Sequence, residues 1–216
     1  MNFLNAIRAP ETGSSRKRRL LAAAGALVFG LCLGIFSKYL DCAQADLPGL
    51  LGMLDEWLDL HNFLGGFAPW VLLAACIAVY SPSPWQAAAR VPAFFLGMLA
   101  GYYGYGYFVG GFFPRSYALI WMVFTAASPF LAYLCWYAKG KGFPAVVLSA
   151  GVLAVLICAA FSWGVWYLSI TRWLNMLMLC LGILVFRRTA RQTLVMLALA
   201  ALTAVLLEAA LPVSIF

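Results

Sequence analysis

Ionisable side chains are rare inside the apolar segments of this chain, and their rarity makes them candidates for function. Glu208 lies within the last apolar segment, and Lys38 lies in the last turn of the first one. Cations and aromatic rings that meet at one membrane depth can hold a small anionic or aromatic solute. The candidate ligand-binding residues are Lys38, Tyr105, Tyr107, Arg115, Trp166, Arg172, Asn175 and Glu208.

A purely structural role is the alternative for the same charged groups. An unpaired charge inside a membrane costs at least about 2.5 kcal/mol, so Glu208 needs a partner or water. Its candidate partners at that depth are Lys38, Arg115 and Arg172. Cations that remain unpaired can extend their alkyl chains and reach water. The sequence leaves both interpretations open.

Signatures of catalysis and of metal binding are missing from the sequence. The loop Gly140–Gly142 has a lysine between two glycines, but it lacks the spacing and the hydroxyl of a phosphate-binding loop. His61 is the one histidine, and together with Asp59 it supplies fewer ligands than a metal site needs. The six cysteines include no Cys-x-x-Cys pair. We therefore expect no catalytic residue, no metal and no cofactor.

The composition is that of a membrane protein. Hydrophobic residues make up 65% of the 216 positions, charged residues make up 10%, and the mean hydropathy is +0.95. A soluble domain has about 25% charged residues, so that class is excluded. Apolar runs long enough to cross a hydrocarbon core of about 30 Å recur along the chain. We expect an all-α polytopic bundle of about seven transmembrane helices with one outer amphipathic helix.

Seven apolar segments are the predicted membrane spans. They are Leu20–Leu40, Phe63–Tyr80, Pro84–Phe108, Tyr117–Tyr137, Pro144–Leu168, Ile170–Phe186 and Leu194–Leu211. Ser83 predicts an N-cap for the third span, and Pro129 predicts a kink that frees a backbone carbonyl in the fourth. The sixth span has a short unbroken apolar core, Trp173–Phe186. Six spans is therefore the alternative count.

Basic residues are distributed unequally about these spans, which predicts the orientation of the chain. Eleven of the 14 lysine and arginine residues fall on one side, and Lys38, Arg115 and Arg172 fall on the other. This bias puts a basic N-terminal segment, residues 1–19, in the cytoplasm and the C-terminus outside the plasma membrane. Residues 20–216 then form a single transmembrane domain. Because the net charge of +7 is spread between spans rather than along one face, no nucleic-acid partner is expected.

The first apolar segment has a second interpretation, as a secretory signal. The small residues of Ala43–Ala45 resemble a cleavage site. However, the apolar run is longer than the 7 to about 15 residues of a signal peptide. Lys38 and Asp41 also lie between the run and the possible cleavage site. We therefore take this segment as the first span.

The segment 41–62 contains five of the seven acidic residues and has the pattern of an amphipathic helix on the outer surface. Its apolar positions at helical spacing are Leu50, Leu51, Leu54, Trp57 and Leu58. Asp55, Glu56 and Asp59 are expected to face away from that apolar side. Because acidic side chains disfavour anionic lipid, we expect the segment to dock over the mouth of the bundle.

Glycines cluster with tyrosines in the third span. Gly97, Gly101 and Gly104 follow each other at helical spacing on one face. A glycine face lets another backbone approach closely, which is a main source of helix association in lipid. We expect this face to pack against a neighbouring helix, and it is a candidate contact for another membrane protein.

Four stretches carry a resemblance to a known family: Gly34–Asp41, Tyr102-Tyr103, Phe113–Ala118 and Trp136–Gly142. Through them the chain resembles an uncharacterised family of small multi-pass membrane proteins from Gram-positive bacteria, over most of the spans. This resemblance implies no activity and no substrate. In size and span count alone, the chain is also similar to the substrate-binding subunits of energy-coupling-factor vitamin transporters.

The sequence favours an integral membrane protein that binds a solute, or is associated with transport, at a site near the outer face. The expected partners are the lipid bilayer and a small-molecule solute. The alternative is a structural or accessory subunit that binds another membrane protein and has no substrate of its own. A membrane enzyme ranks third, because no nucleophile with a base and no metal ligand set is visible.

Overall fold

The computed structural model describes residues 3–11, 13, 15–111, 113–164 and 167–210. These residues form ten α-helices and one β-hairpin. The elements are α1 (Phe3–Ile7), α2 (Arg16–Cys42), α3 (Gly49–Leu58), α4 (Leu60–Gly65), α5 (Ala68–Val79), α6 (Pro84–Phe108), α7 (Arg115–Tyr137), α8 (Gly142–Ala160), β1 (Phe161–Gly164), β2 (Tyr167–Ile170), α9 (Trp173–Phe186) and α10 (Ala190–Ala210). The predicted all-α bundle is confirmed.

Among the described residues, four helices are long and apolar enough to cross a membrane: α2, α7, α8 and α10. The helices α5 and α9 are apolar but have only 12 and 14 residues. At 1.5 Å per residue they span about 18 Å and 21 Å, less than a hydrocarbon core. The structure is thus compatible with a membrane protein, but the predicted count of seven spans is not confirmed.

The predicted helix α6 begins at Pro84 and ends at Phe108, as expected from the sequence. The Ser83 side chain caps it by accepting a hydrogen bond from the Gln86 backbone N–H at 3.3 Å. A serine followed by proline at the first helical position is a strong start signal. The serine oxygen accepts a hydrogen bond from a free backbone N–H, and the proline needs no backbone N–H at that position. This boundary was therefore readable from local sequence.

The predicted span Pro144–Leu168 was wrong at its C-terminal end. Helix α8 ends at Ala160, and the chain continues as the antiparallel strands β1 and β2. Phe161 pairs with Ile170, and the Thr171 N–H donates to the Ala160 carbonyl oxygen at 2.9 Å. The residues of this stretch are apolar, but many are aromatic or β-branched and favour strands. Hydropathy alone does not distinguish the two structures.

Helix α6 packs on α2 through direct backbone contact. A Cβ atom added to Gly97 or Gly101 would lie closer than 3.0 Å to the backbone of α2, at Leu31 and Ile35 respectively. No side chain fits in such a gap, so only glycine allows this approach. The predicted packing of Gly97 and Gly101 against a neighbouring helix is confirmed.

The contact is reciprocal, because α2 presents glycines as well. Added Cβ atoms on Gly30 and Gly34 would lie about as close to the backbone of α6, at Phe94 and Met98. Rising residue numbers on α2 meet rising numbers on α6, so the two helices run parallel. The prediction was wrong for Gly104, because a Cβ atom added there would meet nothing within 4 Å.

Pro129 lies inside α7, where it cannot donate a hydrogen bond to the carbonyl four residues earlier. That carbonyl belongs to Thr125. The Ser128 hydroxyl donates to it at 2.7 Å, and Ser128 is fully buried. The carbonyl that the sequence predicted to be free is therefore satisfied by the residue next to the proline.

Two apolar cores hold the bundle together. One surrounds α8 and includes Leu72, Val79, Leu153, Leu156, Leu179, Phe186, Met196 and Ala200. The other lies among α5, α6 and α7 and includes Trp70, Val91, Phe94, Phe95, Trp121 and Trp136. The second core contains most of the large buried aromatic rings of the described residues.

The loops after α1, α5, α7 and α9 meet at one end of the bundle, here named the basic end. Arg188 joins two of these loops, because its guanidinium donates to the Gly140 carbonyl at 2.7 Å and to the Ala138 carbonyl. Arg8 lies over the Trp136 ring at 4.1 Å and donates to the Trp136 carbonyl at 2.7 Å. Charge-assisted hydrogen bonds of this kind are stronger than neutral ones. The Arg8 contacts hold the N-terminal segment against the bundle, and the Arg188 contacts hold the loop after α9 against the loop after α7.

The glycine contact leads to a direct prediction about stability. Gly101→Ala adds one methyl group that must push α2 and α6 apart, and such overpacking costs about 1–3 kcal/mol. We expect a lower folded yield and a lower melting temperature in detergent. Gly104→Ala, one turn further along the same helix, is the matched control and should leave both unchanged, since its Cβ has open space. Equal melting temperatures for the two variants would show that the contact is not tight.

Candidate functional site

The loops after α2, α6 and α8 form the opposite end of the bundle, here named the acidic end. A partly enclosed cavity of about 230 Å³ lies there. It is lined by Lys38, Asp41, Leu64, Gly65, Trp70, Met98, Tyr102, Tyr103, Pro114, Tyr117 and Trp121. Five of these residues are aromatic, and two are oppositely charged. This is the candidate site.

Lys38 is the charged centre of the cavity and one of the residues that the sequence predicted. Its side chain is 10% exposed, so it lies almost entirely inside the protein. The ammonium forms an ion pair with Asp41, one helical turn later on α2. It also lies 5.0 Å from the centre of the Tyr102 ring, within the range of a cation–π interaction. Carboxylate and ring together make burial of this charge tolerable.

Two hydrogen bonds hold α4 and α5 against the cavity. The Trp70 indole N–H donates to the Leu64 carbonyl at 2.7 Å, and the Ser37 hydroxyl approaches the same oxygen at 3.4 Å. Ser37 immediately precedes Lys38 on α2. The carbonyl at the end of α4 is thus linked both to α2 and to the first turn of α5, which places Leu64 in the cavity wall.

The side of the cavity towards the bundle is aromatic. Trp121 of α7 stacks on Phe67 with ring centres 4.4 Å apart and an interplanar angle of 12°. Phe124 meets the Phe67 ring edge-on at 5.6 Å. Tyr102 and Tyr103 of α6 also line the cavity, with ring centres 5.2 Å apart. Flat ring faces next to a cation suit a small solute with an aromatic part and an anionic group.

A second polar cluster lies beside the cavity, at the junction of α3 and α4. Asp55 is 7% exposed and binds His61 twice, through the His61 backbone N–H at 2.9 Å and through Nδ1 at 2.8 Å. Asp59 accepts hydrogen bonds from Arg172 Nε at 2.8 Å and from Asn62 at 2.7 Å. The cluster connects the segment after α2 to the segment after the hairpin.

The orientation predicted for α3 was wrong. Asp55 faces the protein, whereas Trp57 is 89% exposed and Leu50 is 72% exposed. The reason is that His61 and its backbone N–H are available on the protein side, and a buried carboxylate with two hydrogen bonds is stable there. The apolar side of α3 therefore points away from the bundle instead of docking over its mouth.

The predicted residue Arg172 belongs to this second cluster and does not line the cavity. Burial by itself raises the pKa of the Asp59 carboxyl, but hydrogen bonds from Arg172 and Asn62 outweigh that effect. The net result is an Asp59 pKa below its ordinary value. Asp59 also adopts a left-handed backbone conformation with φ 54°, which aspartate tolerates better than most residues.

The other predicted residues are dispersed. Asn175 is buried and donates from Nδ2 to the Ala159 carbonyl at 2.8 Å, so it satisfies the end of α8. Tyr105 is half-buried and meets the Tyr39 ring edge-on. Tyr107 is 62% exposed.

Three predicted residues remain. Arg115 and Glu208 are exposed, at the start of α7 and near the end of α10. Within the described ranges, no salt bridge joins Glu208 to Lys38 or Arg172, which pair with Asp41 and Asp59. Trp166 lies outside the described residues. Of the predicted residues that the structure describes, only Lys38 lines the cavity. In the described part of the chain, no group of three His, Cys, Asp or Glu side chains lies close enough together to hold a metal ion.

Sequence reasoning missed most of the cavity. Asp41 was recognisable as an i, i+3 partner of Lys38, and Tyr102 lies in the tyrosine cluster that the sequence displays. Trp70 and Trp121 gave no signal, because an aromatic residue in an apolar helix is most often a packing residue. Their position depends on which helices are neighbours.

Comparisons with known proteins found no matching family model, no matching curated protein and no matching solved structure. The resemblance to small multi-pass proteins of Gram-positive bacteria therefore stays a prediction.

The lowered Asp59 pKa predicts a pH-dependent contribution to stability. Such a carboxyl stabilises the folded protein above its unfolded-state pKa of about 3.9, and the contribution is lost as the pH falls through the folded-state pKa. Asp59→Asn keeps the backbone conformation but removes the charge. We expect a lower melting temperature at neutral pH, equivalent to less than about 1 kcal/mol because the pair with Arg172 is partly exposed.

Thermal unfolding of the natural protein and of Asp59→Asn, followed from neutral pH to about pH 3, measures this contribution. The difference between them should shrink at the acid end of the range. Asp46→Asn is the control, because Asp46 is an exposed acid in the same segment. A difference that stays constant over the whole range would contradict the assignment to Asp59.

Proposed function

We propose that this membrane protein binds a small solute, in association with transport, in the cavity at the acidic end. The observation that carries the proposal is a buried lysine facing an aromatic cavity. Lys38 is 8% exposed and lies in a cavity lined by aromatic rings. Burying a charged side chain costs free energy, and an uncharged residue would fill the same position without that cost. A charge kept in such a place is typical of a binding site.

The lining indicates the class of solute. The cation and the ring faces suit an aromatic carboxylate, whose anionic group replaces or extends the Asp41 contact while its ring stacks on Tyr102 or Trp121. The volume of about 230 Å³ is below the usual range of about 300–1,000 Å³ for ligand pockets. The solute is therefore a small one.

A thermal-shift experiment with purified protein tests the proposal. Benzoate, phenylacetate and indole-3-acetate are titrated, and a saturable rise in melting temperature is expected. At a ligand concentration one hundred times Kd, binding raises the free energy of unfolding by about 2.7 kcal/mol. Lys38→Met combined with Asp41→Asn removes the ion pair without stranding one charge, and it should abolish the shift. Arg115→Met is the control, since Arg115 is an exposed cation at the same end. No shift with any titrant, or an equal shift in both variants, would refute an aromatic carboxylate site.

The proposed location is the plasma membrane, with the basic end in the cytoplasm and the acidic end outside. The support is the charge bias, because Arg187 and Lys141 lie at the basic end and the loops there are rich in cations. Reporter fusions after Lys141 and after Asp46 distinguish the two sides. A cytoplasmic signal from the fusion after Asp46 would reverse the assignment.

An accessory subunit is the second candidate function, and the exposed apolar side of α3 favours it. Leu50, Met53 and Trp57 are 72%, 66% and 89% exposed, and they point away from the bundle at the acidic end. A partner membrane protein would cover this side. A photoreactive phenylalanine analogue in place of Trp57 should then give one discrete protein adduct in cells. Adducts with lipid alone would remove this candidate.

A further inference from the structure

An apolar groove lies between α7 and α8, with α5 and α6 at its floor. Its volume is about 620 Å³, well above that of the cavity. Of the residues that line it, Ser128 and Cys135 carry polar groups, and the Ser128 hydroxyl is already bonded to the Thr125 carbonyl. The groove therefore has almost no group that can form a hydrogen bond with water, and it has a large apolar surface that hydrocarbon can cover.

Small residues create the groove. Ala75 of α5 forms part of the floor, and Ala127 of α7 and Gly151 of α8 lie at the walls. A Cβ atom added to Gly151 would meet nothing within 4 Å. Protein interiors are normally filled to crystal-like density, so an empty space of this size would forfeit many contacts. An occupant is expected.

The surroundings identify the occupant as hydrocarbon. Both α7 and α8 are long and apolar enough to cross a membrane. Val123 and Leu131, which line the groove, are also 63% and 44% exposed on the outer side of α7. The opening of the groove is therefore continuous with the surface that faces lipid tails. From Ile120 to Cys135 it follows α7 for about 22 Å, a length suited to an extended acyl chain.

Charge at one end indicates the head group. The groove reaches Leu134 and Cys135, about one helical turn before the loop that carries Lys139 and Lys141. Both lysines are exposed at the basic end. Exposed lysines beside a membrane attract anionic lipid head groups. The same molecule can thus insert a tail in the groove and hold its phosphate near the two lysines.

We propose that the groove between α7 and α8 binds one acyl chain of an anionic phospholipid, whose head group contacts Lys139 and Lys141. This site is separate from the cavity at the acidic end. Phe67 and Phe124 line the groove and Trp121 lines the cavity, and the stacked rings of this cluster stand between the two. The proposal consequently does not depend on the solute-binding function.

Photolabelling in nanodiscs tests the acyl-chain site. The probe is phosphatidylglycerol with a diazirine in one acyl chain, and mass spectrometry locates the labelled residues. We expect label on Val71 and Ala75, at the floor formed by α5. Ala127→Phe puts a ring into the groove and should abolish that label, whereas Ala126→Phe, an exposed neighbour outside the groove lining, should retain it.

A second variant fills the groove from the other helix. If Ala127→Phe does not fold, Gly151→Leu fills the groove from α8, where its Cβ has open space. Label confined to the outer side of α7 and α8, and equal in filled and unfilled variants, would overturn the proposal.

The head group is tested with the same probe on phosphatidylcholine. Labelling of the α5 floor by phosphatidylglycerol should exceed labelling by phosphatidylcholine, and Lys139→Ala combined with Lys141→Ala should remove the excess. Equal labelling of the α5 floor by both lipids would overturn the assignment to an anionic lipid. Binding of aromatic carboxylates should be unaffected by Ala127→Phe, which separates this test from that of the cavity.

Discussion

The backbone contact between α2 and α6 is the constraint on which the candidate site depends. Gly34 meets the backbone of α6 at Met98 and Tyr102, and one turn later on α2 comes Lys38. Because the two helices run parallel and touch without side chains between them, Lys38 is held beside the Tyr102 ring. A wider separation would move the ammonium away from that ring. Glycines between the two helices thus fix the surroundings of the Lys38 charge.

The two ends of the bundle are closed by different chemistry. At the basic end, Arg188 and Arg8 donate to backbone carbonyls of the loop after α7 and its flanking residues. At the acidic end, carboxylates accept hydrogen bonds, as Asp59 does from Arg172. The first arrangement uses cations to satisfy helix C-termini. The second leaves a lysine and aromatic rings around an open space, which is why binding is proposed there.

Two spaces of different polarity lie in the part of the bundle that the structure describes. The cavity at the acidic end is small, aromatic and charged, and the groove between α7 and α8 is larger and almost entirely apolar. Trp121 and Phe67 stack between them. A binding site of this kind requires that the helices beneath it keep fixed positions. A lipid tail in the groove would fill the space between α7 and α8 and so add packing contacts between them. The two proposals are independent but structurally compatible.

The amino-acid sequence by itself indicated the membrane class and determined the ends of α6 and which carbonyl Pro129 cannot bond, because composition, capping and proline geometry act locally. That the Ser128 hydroxyl satisfies this carbonyl is seen only in the structure. The sequence also predicted a packing face of Gly97, Gly101 and Gly104, of which Gly97 and Gly101 contact the backbone of α2. Tertiary structure alone decided that Trp121 reaches the cavity, that Asp55 turns inward to His61, and that the chain after α8 forms a hairpin. The position of Trp121 depends on which helices pack together, whereas Asp55 and the hairpin depend on pairings between nearby residues, Asp55 with His61 and Phe161 with Ile170. Periodicity and hydropathy contain no information on either kind of contact.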